Sequence, residues 1–252
     1  SLSGVQIADT QQDFTDLILE FHENEPLRRE VGKKSRDYIS KVHSFDNCIA
    51  LMKTRLESKE NILVILSRFP YPLEKGDKLR AFYQLKELSK QFNITLICTS
   101  DIPVPEANKE IVSQFCKHLH IFQLTKLGLI FQLLKTIGGS KPMQVHYFYR
   151  KSIHRKISKL ITETKPRHIY CQLIRVSEYV KNEHLVPKTL DYMDALSKGM
   201  ERRIQTEAWY KKWFYRLESK RLKHYERRIF DYFEHKTIIS EQDRKLIYHP
   251  DN

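Results

Sequence analysis

The sequence changes period at residue 61, and that change limits the fold more than anything else in the chain. Ile62-Leu63-Val64-Ile65-Leu66 is an unbroken apolar run. A strand that is apolar at every position has both faces buried, as an inner strand of a parallel sheet covered by helices on both sides does. The loop Arg68-Phe69-Pro70-Tyr71-Pro72-Leu73-Glu74-Lys75-Gly76-Asp77 follows. Residues Leu79–Phe92 then place Leu79, Phe82, Leu85 and Leu88 on one helical face, and Ile94-Thr95-Leu96-Ile97-Cys98 is a second strand. Such a strand–helix–strand unit is right-handed, and its strand C-terminal ends open toward a ligand crevice.

The alternation runs on to the C-terminus. Helices are predicted over Glu106–Cys116, residues 126–137 (ended by Gly138-Gly139), Ser152–Thr164 and the long stretch 197–233. Strands are predicted over His118–Leu124, His168–Gln172, residues 188–193 and Lys236–Ile239. There is no internal repeat. The pattern specifies an α/β domain over residues 59–252, built on a doubly wound, mostly parallel, Rossmann-like sheet.

Residues 1–58 have a different character. Phe14, Leu17, Ile18 and Phe21 keep helical spacing, and Thr10 with Asp13 makes a capping-box start with Asp in place of Glu or Gln. Glu23-Asn24-Glu25-Pro26 breaks that helix and starts another over Leu27–Val42. A short amphipathic helix is predicted from Phe45 to Leu56, with Ile49, Met52 and Leu56 inward. Charge changes at the same joint. The whole chain carries 44 − 31 = +13, while residues 1–58 hold 8 basic and 10 acidic side chains, leaving 36 − 21 = +15 for residues 59–252. Within 198–228 alone, 11 basic residues face 4 acidic ones. A basic face attracts nucleic acid, anionic lipid head groups or phosphorylated small molecules, and charge by itself does not choose among them.

Several classes are excluded or disfavoured. A chain 40% hydrophobic and 11% aromatic is neither disordered nor low-complexity. No apolar run reaches the roughly 18 residues of a membrane span, and Ser1-Leu2-Ser3-Gly4 is no signal peptide, so a soluble, cytoplasmic protein is expected. Cys48, Cys98, Cys116 and Cys171 show no C-x-x-C spacing, and Cys98 and Cys171 lie in apolar runs as reduced core thiols. The histidines, His118, His120, His146 and His154 among them, show no metal spacing, and no metal is expected. Neither a P-loop nor G-x-G-x-x-G is present.

The residues that could carry chemistry fall into four groups. Gly76, where a buried strand hands over to a helix, would let backbone N–H groups approach a phosphate, with Lys75, Lys78 and Arg80 beside it; a plain turn glycine is the other reading. Asp191 and Asp194 stand at a strand end, placed either to orient a hydroxyl or to cap the next helix. Glu218 and Glu226 lie about 80° apart on a helix, where surface ion pairs with Arg221, Lys223, Arg227 and Arg228 are the ordinary explanation. The stretch Trp209-Tyr210-Lys211-Lys212-Trp213-Phe214-Tyr215-Arg216 could stack nucleobases, lie among lipid head groups, or form an aromatic core stripe.

The order of blocks resembles a known family. Arg68-Phe69-Pro70-Tyr71-Pro72, then Lys75-Gly76-Asp77-Lys78-Leu79-Arg80, are followed by Leu190-Asp191-Tyr192-Met193-Asp194-Ala195-Leu196-Ser197. Tyr215-Arg216-Leu217-Glu218 through Arg221-Leu222 to Tyr225-Glu226, and Ile238-Ile239-Ser240-Glu241, complete the series. Together they are similar to the N-terminal half of a GT-B glycosyltransferase of family 4 (group 1), in the branch found with bacterial exopolysaccharide and exosortase systems. Residues 1–58 resemble the other end of such an enzyme. Gly4-Val5-Gln6-Ile7-Ala8-Asp9-Thr10, Asp13-Phe14, Glu25-Pro26-Leu27-Arg28-Arg29, Ser35-Arg36-Asp37-Tyr38-Ile39 and Ser44-Phe45-Asp46 are similar to its last helices.

The resemblance implies a sugar moved from a nucleoside-diphosphate donor to an acceptor hydroxyl, saccharide or lipid-linked, without cofactor or catalytic metal. It also implies that the donor-binding domain is not among these residues, so that this piece alone is inactive. Gly76 and Asp77 would face the donor diphosphate; Arg80, Gln172, Asp191, Asp194 and Ser197 are the other cleft candidates, and no catalytic residue is assigned. Trp209, Lys211, Lys212 and Trp213 would form a face toward an anionic membrane, making the protein peripheral at its inner surface. The competing reading is a non-catalytic basic α/β module that binds anionic membrane or nucleic acid.

Overall fold

The computed structural model describes residues 8–42, 59–125, 139–247 and 249–250. The helices expected over 45–56 and 126–137, together with Cys48, Gly138 and the segment Gly4–Ile7, lie outside the described residues. The chain divides into two compact units, Ser1–Ser58 and Lys59–Asn252.

In the first unit, α1 spans Gln11–Glu23 and α2 spans Glu25–Val42. The capping box is formed: Asp13 N–H donates to Thr10 Oγ1 at 3.1 Å, and Thr10 N–H donates to Asp13 Oδ2 at 3.0 Å. Asn24 ends α1, and its Oδ1 accepts from Leu27 N–H at 3.1 Å to start α2. No described residue of this unit is buried, and Phe14, Ile18 and Ile39 are each more than half exposed.

The second unit is one six-stranded sheet. Its strands are β1 (Glu60–Leu66), β2 (Phe92–Ser100), β3 (His118–Gln123), β4 (His168–Gln172), β5 (Lys188–Met193) and β6 (His235–Ile238). They run in the order β3-β2-β1-β4-β5-β6, every neighbouring pair parallel, so the winding reverses between β1 and β4. The apolar run of β1 is used as its pattern requires. Ile62, Val64 and Leu66 face one core with Ala81, Leu85 and Val112, while Leu63 and Ile65 face another with Ile153, Ile157 and Leu222. Each such side chain contributes about 1.5–3 kcal/mol on full burial, so β1 anchors both cores at once.

Helices α3 (Gly76–Leu88) and α4 (Glu106–Ser113) pack on the first core. On the second lie α5 (Met143–Phe148), α6 (Lys151–Thr164), α7 (Leu196–Thr206) and α8 (Trp209–Phe230). In α6, Ile153, Ile157 and Ile161 make the buried stripe, and Lys165 closes the helix in the left-handed region at φ 43°. Cys98 and Cys171 are buried free thiols, both with pKa raised by burial.

Two expectations are corrected here. The single helix expected over 197–233 is two helices, broken where Glu207 and Ala208 turn extended (ψ 158° and 146°). No glycine or proline marks that break. It exists because α8 folds back on α7: Ser219 Oγ donates to the Ser197 carbonyl at 3.2 Å, and Lys223 meets Glu201 at 2.6 Å. Periodicity also did not foresee three short elements: α5, a 3-10 helix over Ile174–Tyr179, and α9 (Glu241–Arg244).

Candidate functional site

The ends of β1 and β4, on either side of the reversal, are drawn together by one polar cluster. Arg68, just beyond β1, pairs through Nη1 with Asp77 Oδ2 at 2.8 Å. Gln172, the last residue of β4 and 3% exposed, donates from Nε2 to the Asp77 carbonyl at 3.1 Å. Arg175 reaches the same Asp77 oxygen at 4.0 Å, and its Nε donates to Gln144 Oε1 at 2.8 Å. Burial lowers the pKa of the Arg175 guanidinium to about 10, the like charge of Arg68 adds to this, and Asp77 and Asp194 oppose it. The cluster thus holds the loop after β1 and the start of α3 in place. Gly76 opens α3 without a side-chain cap; its φ is not left-handed, and a Cβ there would meet nothing within 4 Å. Neither conformation nor crowding by the chain itself calls for glycine at this position.

Asp191 turns out to be an internal tie. It is fully buried, and its Oδ2 accepts from Tyr170 OH at 2.6 Å, Arg80 Nε at 2.8 Å and Gln84 Nε2 at 3.2 Å, while its Oδ1 accepts from Met193 N–H at 3.0 Å. Arg80, expected in the cleft, is engaged in the same knot. Asp194 is exposed beside the start of α7 but makes no cap hydrogen bond there. Its pKa is nevertheless raised, first because the carboxyl is partly desolvated by its surroundings and then by the Asp243 charge, against Arg175 and Arg202.

The surface ion pairs expected of Glu218 and Glu226 do not form, because both side chains are only 1% exposed. Each is spent on the N-terminus of another helix. Glu226 Oε1 accepts from Ser197 N–H at 3.0 Å, where α7 begins; Glu218 Oε1 accepts from Gln144 N–H at 3.3 Å, where α5 begins. A helix N-terminus presents unsatisfied N–H groups and partial positive charge, so a buried carboxylate is a suitable cap. Burial raises both pKa values, that of Glu226 to about 7, with the Ser197 and Leu196 hydrogen bonds opposing. Ser197, expected in the cleft, is 1% exposed and belongs to this cap.

Above the cluster lies a cleft of about 320 Å³. Arg68, Asp101 and Arg175 line it from beyond β1, β2 and β4; Gln144 and Tyr147 come from α5, and Met200, Arg203, Phe214, Tyr215 and Glu218 from α7 and α8. Two non-glycine residues at the C-terminal ends of β4 and β5 hold left-handed backbone, Leu173 at φ 67° and Met193 at φ 60°. Such conformations cost about 1–3 kcal/mol each and cluster where a site needs them. Of the expected residues, Asp77 and Gln172 are joined by a hydrogen bond beside this cleft and Asp194 is exposed before α7, whereas Asp191 and Ser197 are buried and Arg80, about a third exposed, is tied to Asp191. Arg175, Gln144 and Tyr147 were not foreseen. They ride on the two short elements whose length leaves no periodic signal. Among the described residues, no three His, Cys, Asp or Glu side chains group as metal ligands would, and no helix is long and apolar enough to cross a membrane.

No protein-family description matches the chain, and no curated protein does. Among solved structures it is similar to TcCGT1, solved in complex with UDP, at 16% identity and a TM-score of 0.36, covering 59% of this chain and 32% of that one.

Proposed function

We propose that residues 59–252 are the acceptor-side half of a GT-B glycosyltransferase that uses a nucleoside-diphosphate sugar. The observation that carries this reading is the open cleft at the carboxyl ends of β1, β2 and β4, set beside the reversal of strand order where open α/β sheets bind ligands. The residue blocks around Gly76, Asp191 and Glu226, in the order the family has them, narrow the reading from ligand binding to sugar transfer.

In this reading the donor is held chiefly by a second domain that these residues do not include. Residues 1–58 would be the closing helices of such a domain, and the donor diphosphate would approach the uncapped start of α3 at Gly76 and Asp77. The acceptor, a saccharide or lipid-linked saccharide of bacterial surface polysaccharide synthesis, would lie along Arg175, Gln144 and Tyr147. Asp191, Arg80 and Ser197 would act by holding the walls.

Gly76→Val in the chain joined to its donor domain tests this. The added side chain enters open space, so the urea midpoint is expected to stay within the ~0.5 kcal/mol typical of surface changes. Sugar transfer is expected to fall by about 100-fold or more if a phosphate must approach that backbone. Transfer at the wild-type rate by a folded Gly76→Val protein would overturn the reading.

A further inference from the structure

The outward face of α8 has been stripped of negative charge by the way the helix is buried. The helix carries eight basic residues and two acidic ones, Glu218 and Glu226. Both acids are turned inward as caps, so no carboxylate of α8 remains outside. Arg216, Lys220, Arg227 and Arg228 are exposed and Lys212 is half-exposed. At the N-terminal end of the same face, Trp209 is 83% exposed, Trp213 65% and Leu217 39%, at i, i+4 and i+8, with Tyr210 57% exposed beside them. At 1.5 Å per residue, the 22-residue helix is about 33 Å long, with large exposed apolar side chains near its start and positive charge along its whole length. The core-stripe reading of this segment is therefore overturned.

We propose that this face of α8 docks on an anionic lipid surface, with Trp209, Tyr210, Trp213 and Leu217 seated at the head-group level and the basic run lying along the lipid phosphates. The charge is complementary to such a surface, and large exposed indole rings find both an apolar and a wet environment there. Single-stranded nucleic acid fits less well. It is bound in grooves that stack bases on ring faces, whereas these residues project from a convex helix. Trp209 and Tyr210 meet edge to face (89°), and Leu217 offers nothing to stack. The proposal does not depend on sugar transfer.

The sequence supplies its own probe, because Trp209 and Trp213 are the only two tryptophans of the protein. The full chain is mixed with phosphatidylcholine vesicles, with and without about a third phosphatidylglycerol. The expected result is a blue-shifted emission, quenched by brominated lipid, with partitioning roughly 10-fold or more tighter to the anionic vesicles and weakened by salt. Lys212→Glu/Arg216→Glu and Trp209→Ala/Trp213→Ala should each cut co-sedimentation by about 10-fold with the urea midpoint unmoved. The proposal is overturned by no sedimentation with anionic vesicles, by sedimentation with unchanged emission, or by undiminished binding of both folded variants. A shift produced by an oligonucleotide without brominated-lipid quenching assigns the face to nucleic acid; a shift growing with protein concentration in the absence of lipid assigns it to a second copy.

Discussion

The α1–α2 segment and the sheet unit are held by opposite kinds of interaction. The hydrogen bonds that set α1 and α2 join near neighbours in sequence: Thr10 to Asp13, Asn24 to Leu27, Arg28 to the Phe21 carbonyl. In the sheet unit the ties cross the chain, with Arg80 and Asp191 111 residues apart, Gln172 and Asp77 95 apart, and Gln144 and Glu218 74 apart. Local ties are written in the sequence and fail one helix end at a time. Distant ties appear only once the chain has closed on itself, and the loss of one buried partner leaves others stranded.

Removing the most connected of the distant ties should have the largest effect. Asp191→Ala leaves Tyr170, Gln84 and Arg80 without their acceptor, and the sheet unit is expected to lose about 3–5 kcal/mol, measured by urea unfolding. A loss no larger than that of a surface substitution would show that the knot is replaceable and would narrow the contrast between the two units.

Glu226 should have a smaller effect, and one that depends on pH. Its folded pKa, about 7, lies above the ordinary 4.5, so the folded state binds the proton more tightly than the unfolded state. This contribution is full below about pH 4.5 and is lost as pH rises through about 7. Glu226→Gln mimics the protonated form, keeps an acceptor for Ser197 N–H, and places an amide at Oε2, which has no hydrogen-bond partner. The variant should flatten the fall in stability over that interval and exceed the wild type by about 1–3 kcal/mol above pH 7. An unaltered pH profile would mean that the buried cap does not titrate there.

The smallest effect belongs to the local unit. Thr10→Ala removes one side of the capping box and should weaken α1 by about 1 kcal/mol. Amide exchange should quicken in the first turn of α1 alone, with the unfolding of the sheet unit unmoved. Faster exchange in β1–β5 would erase the distinction between the two units.

How much of the site could be read in advance follows the same line. Gly76, Asp77 and Gln172 could be picked out as candidates because strand ends in a parallel sheet point one way, so their position along the chain already set them near those ends. Glu218 and Glu226 were misread, since basic neighbours at helical spacing imitate a solvated surface. Their true partners, the first turns of α5 and α7, lie 74 and 29 residues away. The same limit hid Arg175 and Tyr147, whose places depend on which helix ends are carried to the mouth of the sheet.

The alternation of apolar runs with helical periods was enough to determine a parallel, doubly wound α/β unit behind a helical segment, because burial on two faces and on one face leave different periods in any sequence. Which polar groups face the cleft, which serve as caps and which knot the sheet together was decided only by tertiary structure. A carboxylate looks the same in sequence whether it meets water, a helix N-terminus or an arginine; its surroundings, and so its chemistry, are set by segments far along the chain.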